Sequence, residues 1–176
     1  MVSSQLEYAQ NFLNQHPNTK LVTISLGGND LLMLQDECNR EENPILCKVS
    51  RLPQVALTLA DNLVKIFKSL RETSYKGDIV IVTQYANNYK DAIQQLALVT
   101  IKNQIWIISR LTGVKVADAF EAMKKDSSAF NGSLCKAGFV VPLAADKCDN
   151  HPAEKGREIL ATTVMDAIKI EPKNQL

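Results

Sequence analysis

Short apolar segments alternate with longer amphipathic segments along this chain, and that alternation limits the possible folds more than any other feature. Strands are predicted where the sequence is apolar and rich in β-branched residues, at residues 21–26, 78–83 and 114–117. Helices are predicted where apolar residues recur at helical spacing, at residues 4–15, 53–73, 91–111 and 154–168. Because the strands are continuously apolar, both faces of their sheet should be covered, as in layered α/β folds with parallel strands.

The segments between these elements complete the predicted organisation. Residues 36–51 are polar and are predicted to form a loop, and a second loop is predicted between the third strand and the last helix. The 176 residues are enough for one domain with a hydrophobic core, and they show no internal repeat or interdomain linker. We therefore expect one α/β domain over residues 1–176.

The charge balance argues against two classes of partner. The chain has 20 basic and 19 acidic residues, so no basic field exists to attract nucleic acid or anionic lipid. The longest apolar runs, such as residues 79–82 and 105–108, are far too short to span a bilayer. We expect neither a nucleic-acid partner nor a transmembrane segment.

Four cysteines fall into two local pairs, Cys38 with Cys47 and Cys135 with Cys148. The even number of cysteines and their local spacing predict two disulfides, and therefore a secreted or extracytoplasmic protein. The alternative is a cytosolic protein with four reduced thiols. The first residues, Met-Val-Ser-Ser-Gln-Leu-Glu, contain neither the basic nor the apolar region of a signal peptide. This combination leads us to expect that the natural N-terminus is missing.

Polar residues cluster where the first predicted strand ends, in the sequence Gly27-Gly28-Asn29-Asp30. In parallel sheets ligands bind at the carboxyl ends of the strands, and glycines let the backbone turn sharply and approach a ligand. The amide of Asn29 is suited to stabilising a developing negative charge. A plain turn explains the same residues, because Gly, Asn and Asp are common in turns.

A second polar cluster, Asp149-Asn150-His151-Pro152, precedes the last predicted helix. His151 is one of only two histidines. The other, His16, lies in the loop before the first predicted strand, at the end opposite to the one where ligands bind. His151 is therefore the candidate general base, and a nearby aspartate such as Asp149 can orient its ring. The alternative is an exposed turn in which Asp149 caps the following helix.

Together, and in this order, the two clusters resemble the conserved blocks of the SGNH (GDSL-type) serine ester hydrolases. Block III of that family is Gly-x-Asn-Asp, and block V carries the catalytic Asp and His, commonly followed by Pro and Gly. The matching residues here are Gly27, Asn29, Asp30, Asp149, His151, Pro152 and Gly156. The resemblance extends over nearly the whole chain.

The resemblance implies a three-layer α/β/α fold with a mainly parallel sheet of flavodoxin-like order. It also implies hydrolysis of carboxylic esters through an acyl-serine intermediate, without metal or cofactor. His151 would be the base, Asp149 would orient it, and Asn29 with Gly27 would form the oxyanion hole. Many members place the aspartate where this chain has Cys148, and Asp146 is a further candidate.

The sequence also departs from the family pattern. Neither block I, Gly-Asp-Ser-Leu with the nucleophilic serine, nor block II is present. Ser25 is predicted to lie inside a buried strand, and Ser3 and Ser4 precede any strand. We expect an N-terminally truncated hydrolase that is inactive alone. The alternatives are a non-catalytic binding module and a fragment whose nucleophile comes from another chain. The implied substrate is a small-molecule or lipid ester, with its acyl and alcohol groups unspecified.

Overall fold

The computed structural model describes residues 4–144 and 147–169. Within these residues, helices and strands alternate along most of the chain. The elements are α1 (Gln5–Gln15), β1 (Leu21–Ile24), α2 (Gly28–Cys38), α3 (Pro44–Arg71), β2 (Asp78–Val82), α4 (Ala92–Thr112), β3 (Lys115–Ala117), α5 (Ala119–Asp126), α6 (Leu134–Ala137), β4 (Val140–Ala144), β5 (Lys147–Pro152) and α7 (Glu154–Lys169).

The three predicted strands form one parallel sheet in the order β1–β2–β3. Leu21 lies opposite Asp78 in the first ladder, and Val80 lies opposite Lys115 in the second. Strands that follow one another in the chain are therefore neighbours, as are the last three strands of a flavodoxin-like sheet. The predicted α/β fold with a parallel sheet is confirmed.

Helices cover both faces of this sheet. Alternate residues of a strand point to opposite faces, and Ile79 and Ile81 of β2 pack in one core with Leu63 and Phe67 of α3 and with residues of α4. On the opposite face, Val80 packs in a separate cluster with residues of β3 and α7. The central strand is buried on both sides, which explains why its sequence is continuously apolar.

The prediction of a loop at residues 36–51 is wrong. Residues 36–38 end α2, and residues 44–51 belong to α3, which begins at Pro44. The side-chain oxygen of Asn43 accepts a hydrogen bond from the backbone N–H of Leu46 at 3.1 Å and caps this helix. Pro44 suits the first helical position, where a backbone N–H would have no helical partner. Pro53, at which the sequence predicts the helix to begin, lies inside it.

The loop predicted after β3 contains regular structure as well. It includes α5, a short 3-10 helix at Ser128–Phe130, α6, and an antiparallel hairpin of β4 and β5. In the hairpin Val140 lies opposite Pro152 and Pro142 opposite Cys148, with irregular register between the paired positions. His151 and Pro152 therefore lie on a strand rather than in a loop.

Both disulfides have the expected pairing. The bond between Cys38 and Cys47 joins the end of α2 to the start of α3, with 5.5 Å between the Cα atoms. The bond between Cys135 and Cys148 joins α6 to β5, with 5.7 Å between the Cα atoms. Among the described residues, no helix combines the length and apolarity needed to cross a membrane.

Candidate active site

The turn after β1 depends on glycine. Gly27 is buried and adopts a φ of 103°, a left-handed conformation that favours glycine. A Cβ at this position would lie 2.9 Å from Cδ2 of Leu59 and 3.3 Å from Cδ1 of Ile101, both in the core. The turn can therefore pack closely on α3 and α4 only with glycine at this position.

Asn29 lies in the first turn of α2, directly after this glycine turn. The first backbone N–H groups of a helix have no partner within the helix, and the helix dipole favours negative charge at this end. The side chain of Asn29 is exposed and lines a cavity at the carboxyl end of the sheet. Side-chain amide and backbone amides can thus face the same ligand group, which suits an anion or an oxyanion.

His151 and Asp149 form a pair on β5. The distance between His151 Nδ1 and Asp149 Oδ1 is 2.9 Å. The His151 side chain is 80% exposed and that of Asp149 39% exposed, so the imidazole faces solvent. The hydrogen bond from His151 lowers the pKa of the Asp149 carboxyl below its ordinary value. When Nδ1 donates to Asp149, Nε2 is free to accept a proton from a reacting group. Asp146, the other candidate partner, lies outside the described residues.

Asn150, between these two residues, is attached to the segment that follows β2. The hydroxyl of Tyr85 donates a hydrogen bond to the Asn150 carbonyl oxygen at 2.8 Å. The side-chain amide of Asn87 donates to the side-chain oxygen of Asn150. Burial and the negative charge of Asp149 raise the pKa of Tyr85 to about 12. The sequence motifs do not reveal these contacts, although Tyr85 and Asn87 do follow the carboxyl end of a strand, where ligand sites form.

One cavity of about 1060 Å³ brings the two sequence clusters together, since Asn29 and His151 both line it. Gly28 lines it as well, whereas Gly27 lies behind it in the core. His16 is not part of this lining and instead packs on Phe12, with 4.3 Å between the ring centroids. Two separate parts of the sequence thus meet at the carboxyl edge of the sheet.

The serines differ from expectation in one respect. β1 ends at Ile24, so Ser25 lies beyond the strand, and it is exposed in the cavity rather than buried. Its Oγ accepts a hydrogen bond from Gln84 Nε2 at 3.0 Å. Ser4 caps α1 by accepting a hydrogen bond from the backbone N–H of Glu7 at 3.2 Å. Ser3 lies outside the described residues.

No protein-family model and no curated protein matches this sequence. Solved structures do match, over 90% or more of the chain. A phospholipase A1 from Streptomyces albidoflavus has a TM-score of 0.66 at 16% identity, with 90% of this chain and 75% of that chain covered. An acetylxylan esterase from Geobacillus stearothermophilus has a TM-score of 0.53 at 19% identity, with 92% and 68% covered. A lipolytic G-D-S-L family protein from Veillonella parvula has a TM-score of 0.55 at 15% identity, with 92% and 70% covered. The chain has the fold of the SGNH hydrolases.

The SGNH fold accounts for the position of the cavity. In open sheets with parallel strands, ligands bind beyond the carboxyl ends of the strands, and the turn after β1 and the segment after β2 both lie at that edge. The hairpin of β4 and β5 brings His151 to the same edge from a distant part of the sequence. The fold named by the sequence resemblance is therefore confirmed.

Proposed function

We propose that this protein is an SGNH-family hydrolase of carboxylic esters. In this proposal His151 is the general base, Asp149 orients it, and Asn29 with the turn at Gly27 forms the oxyanion hole. The observation that carries the proposal is that His151, which is hydrogen-bonded to Asp149, lines the same cavity as Asn29. The ester hydrolases named among the structures of similar fold support the reaction class.

The reaction follows from these positions. A serine hydroxyl attacks the ester carbonyl carbon, and its proton passes to Nε2 of His151 while Asp149 stabilises the imidazolium. The side chain of Asn29 and backbone N–H groups of the α2 N-terminus stabilise the tetrahedral oxyanion. His151 then protonates the departing alcohol. Water, deprotonated by His151, hydrolyses the acyl-serine to release the carboxylic acid and restore the serine hydroxyl.

The nucleophilic serine of this proposal lies on a further strand that pairs with the free edge of β1 and comes from outside the described residues. Among the described residues β1 pairs with β2 alone. The cavity is lined both by Thr23 of β1 and by Leu160, Val164 and Met165 of α7. An unpaired strand edge beside an apolar cavity is a surface that a neighbouring strand can cover.

We also propose that the protein works outside the cytoplasm on a small-molecule or lipid ester. The two disulfides support this location, because disulfides persist in oxidising compartments. The apolar residues that α2 and α3 contribute to the cavity lining, which include Leu31, Leu34 and Ile45, support an acyl group as the part of the substrate that binds there.

The test compares the 176-residue chain with a version extended upstream to include a Gly-Asp-Ser strand. Both are incubated with a p-nitrophenyl short-chain ester and a fluorophosphonate probe. We expect hydrolysis and stoichiometric labelling of the extended version alone, and loss of about 100- to 1,000-fold in kcat when Asn29 is replaced by alanine.

Ser25→Ala is the matched control, because Ser25 is the exposed serine of the same cavity. Labelling of Ser25 in the 176-residue chain would contradict the assigned nucleophile. An extended version that binds a non-hydrolysable ester analogue, yet is neither labelled nor active, would instead support a non-catalytic binding module.

A further inference from the structure

The segment that follows β2 contacts the turn that leads into Asn29. Gln84 Nε2 donates hydrogen bonds to Ser25 Oγ at 3.0 Å and to the Leu26 carbonyl oxygen at 3.3 Å. Gln84 Oε1 lies 2.9 Å from the point where a Cβ on Gly28 would be, so the amide fits against a glycine backbone. One side chain therefore hydrogen-bonds the residues before Gly27 and lies against the backbone of Gly28 after it.

The same segment contacts the strand that carries His151. Tyr85 donates from its hydroxyl to the carbonyl oxygen of Asn150, and Asn87 donates from its side chain to the side chain of Asn150. Asn150 thus has two bonds to the segment, one through the backbone and one through the side chain. Both lie one residue away from His151, so they fix the position and the rotation of the strand at this point.

A second connection joins β5 to the same place. The Leu134 backbone N–H donates to the Asn87 carbonyl oxygen at 3.0 Å, which fixes the start of α6 beside the segment. The disulfide between Cys135 and Cys148 then ties α6 to β5. The strand that carries His151 is therefore connected to Asn87 by two routes. One is the direct hydrogen bond between the side chains of Asn87 and Asn150, and the other is indirect, through the disulfide to α6 and the backbone hydrogen bond of Leu134.

We infer that Gln84, Tyr85 and Asn87 are positioning residues that together set the separation between Asn29 and His151. This inference rests on the proposed function. The side chain of His151 is 80% exposed, so core packing cannot fix its place. The ladder of the hairpin is irregular, so strand pairing alone does not fix it either. Acyl transfer requires the base and the oxyanion donors to be held to within about 0.5 Å of their productive positions, and hydrogen bonds from one shared segment to both sides of the site can provide this.

The test of this inference needs no turnover. In Tyr85→Phe the ring remains and only the hydroxyl that bonds Asn150 is lost. Tyr89→Phe is the matched control. It removes a nearby hydroxyl that donates a hydrogen bond to the Phe120 carbonyl oxygen of α5 at 2.8 Å and not to β5. The imidazole ¹⁵N spectrum of the folded 176-residue chain reports the hydrogen bond between His151 and Asp149.

In Tyr85→Phe we expect a 2- to 10-fold rise, roughly, in the fraction of imidazole not bonded to Asp149, as the loss of one neutral hydrogen bond implies. The pKa of Asp149 should rise toward its ordinary value in the same variant, and Tyr89→Phe should change neither quantity. Gln84→Met, of similar size, should shift the backbone amide signals of Gly28 and Asn29 and leave the imidazole signals unchanged.

Unchanged imidazole signals in Tyr85→Phe, or equal changes in Tyr89→Phe, would overturn the inference. If Tyr85→Phe does not fold, Asn87→Ala decides by the same readout. In an active extended enzyme, Tyr85→Phe should lower kcat and leave KM near the parent value. The spectra do not depend on hydrolysis, so the two hypotheses can fail separately. If the extended enzyme is inactive but Tyr85→Phe displaces the imidazole, only the proposed function is refuted. If the extended enzyme is active but Tyr85→Phe leaves the imidazole undisturbed, only the inference is refuted.

Discussion

Removal of the disulfide between Cys135 and Cys148 is expected to destabilise the protein and also to release the strand that carries His151. The two cysteines are 13 residues apart, and opening a closed loop of this size costs about 3 kcal/mol in the chain-entropy description. Cys38 and Cys47 are 9 residues apart, for which the same relation gives about 2.7 kcal/mol. The two losses in the free energy of unfolding are thus nearly equal, although the two bonds lie in different places.

Because the two bonds contribute nearly equal stability, comparing their removal distinguishes a general loss of stability from a local effect on the position of His151. Alanine replacement of both cysteines in one pair, followed by urea denaturation, measures the loss of stability for each bond. The imidazole ¹⁵N spectrum of His151 is then recorded well below the denaturation midpoint. We expect both variants to lose about 3 kcal/mol from the opened loop, and only the variant without Cys135 and Cys148 to lose the bond from His151 to Asp149.

Either of two results would contradict this expectation. If the variant without Cys38 and Cys47 loses the histidine bond to the same extent, then general loosening of the fold explains the effect. If the variant without Cys135 and Cys148 keeps the bond, then the disulfide does not hold the strand. Cys38 is fully buried, so its alanine variant also loses core packing and forms a demanding control.

Three further predictions concern single residues. Gly156→Ala should lower stability by about 1–3 kcal/mol in thermal denaturation, because its Cβ would overlap the carbonyl oxygen of Phe139, and an unchanged Tm would contradict this. Burial raises the pKa of Tyr85 to about 12, so the stability it contributes is fully present below its ordinary pKa of 10.0 and is lost as the pH rises to about 12. Tyr85→Phe should remove that part of the alkaline loss in pH-dependent denaturation. In the extended enzyme, Asp149→Asn should lower kcat by up to about 10,000-fold without unfolding, while Asp146→Asn keeps it near the parent value, and the reverse result would refute the assignment.

The sequence predicts well those elements whose pattern is set by burial. The strand predicted at residues 78–83 is found at Asp78–Val82, and the helix predicted at residues 91–111 is found at Ala92–Thr112. The strand is the central one of the sheet, where cover on two faces requires apolar residues throughout, and the helix buries one stripe against the core. Burial of this kind leaves a periodic signal that a single sequence displays.

The wrongly predicted elements lack that signal. The spacing of apolar residues predicts a helix that begins at Pro53, whereas the cap at Asn43 and the proline at residue 44 set the true start. The hairpin strand Lys147–Pro152 has no alternation of apolar and polar residues. It is held by a disulfide and by side chains of another segment, which do not appear in a local pattern.

In the candidate site, too, the sequence reveals the residues that form local motifs and does not reveal the contacts between distant segments. The residues of the two motifs are recognisable because each motif is local in sequence. Tyr85 bonds a residue 65 positions away, and Gln84 bonds Ser25 59 positions away, so neither contact leaves a local trace. The sequence predicts Ser25 inside a strand because apolar residues flank it at Ile24 and Leu26, but the strand ladder ends at Ile24.

The consecutive order of the strands has a consequence for synthesis. Each strand of the sheet can pair with the one made just before it, so the sheet can grow as the chain emerges. One face behaves differently, since Val80 and Ala117 are covered by Ala167 of α7, the last described helix. That face stays open to the surroundings until translation has passed residue 167. A nascent chain stalled before this point would present an apolar sheet surface to chaperones and proteases, which makes α7 the element that covers this face.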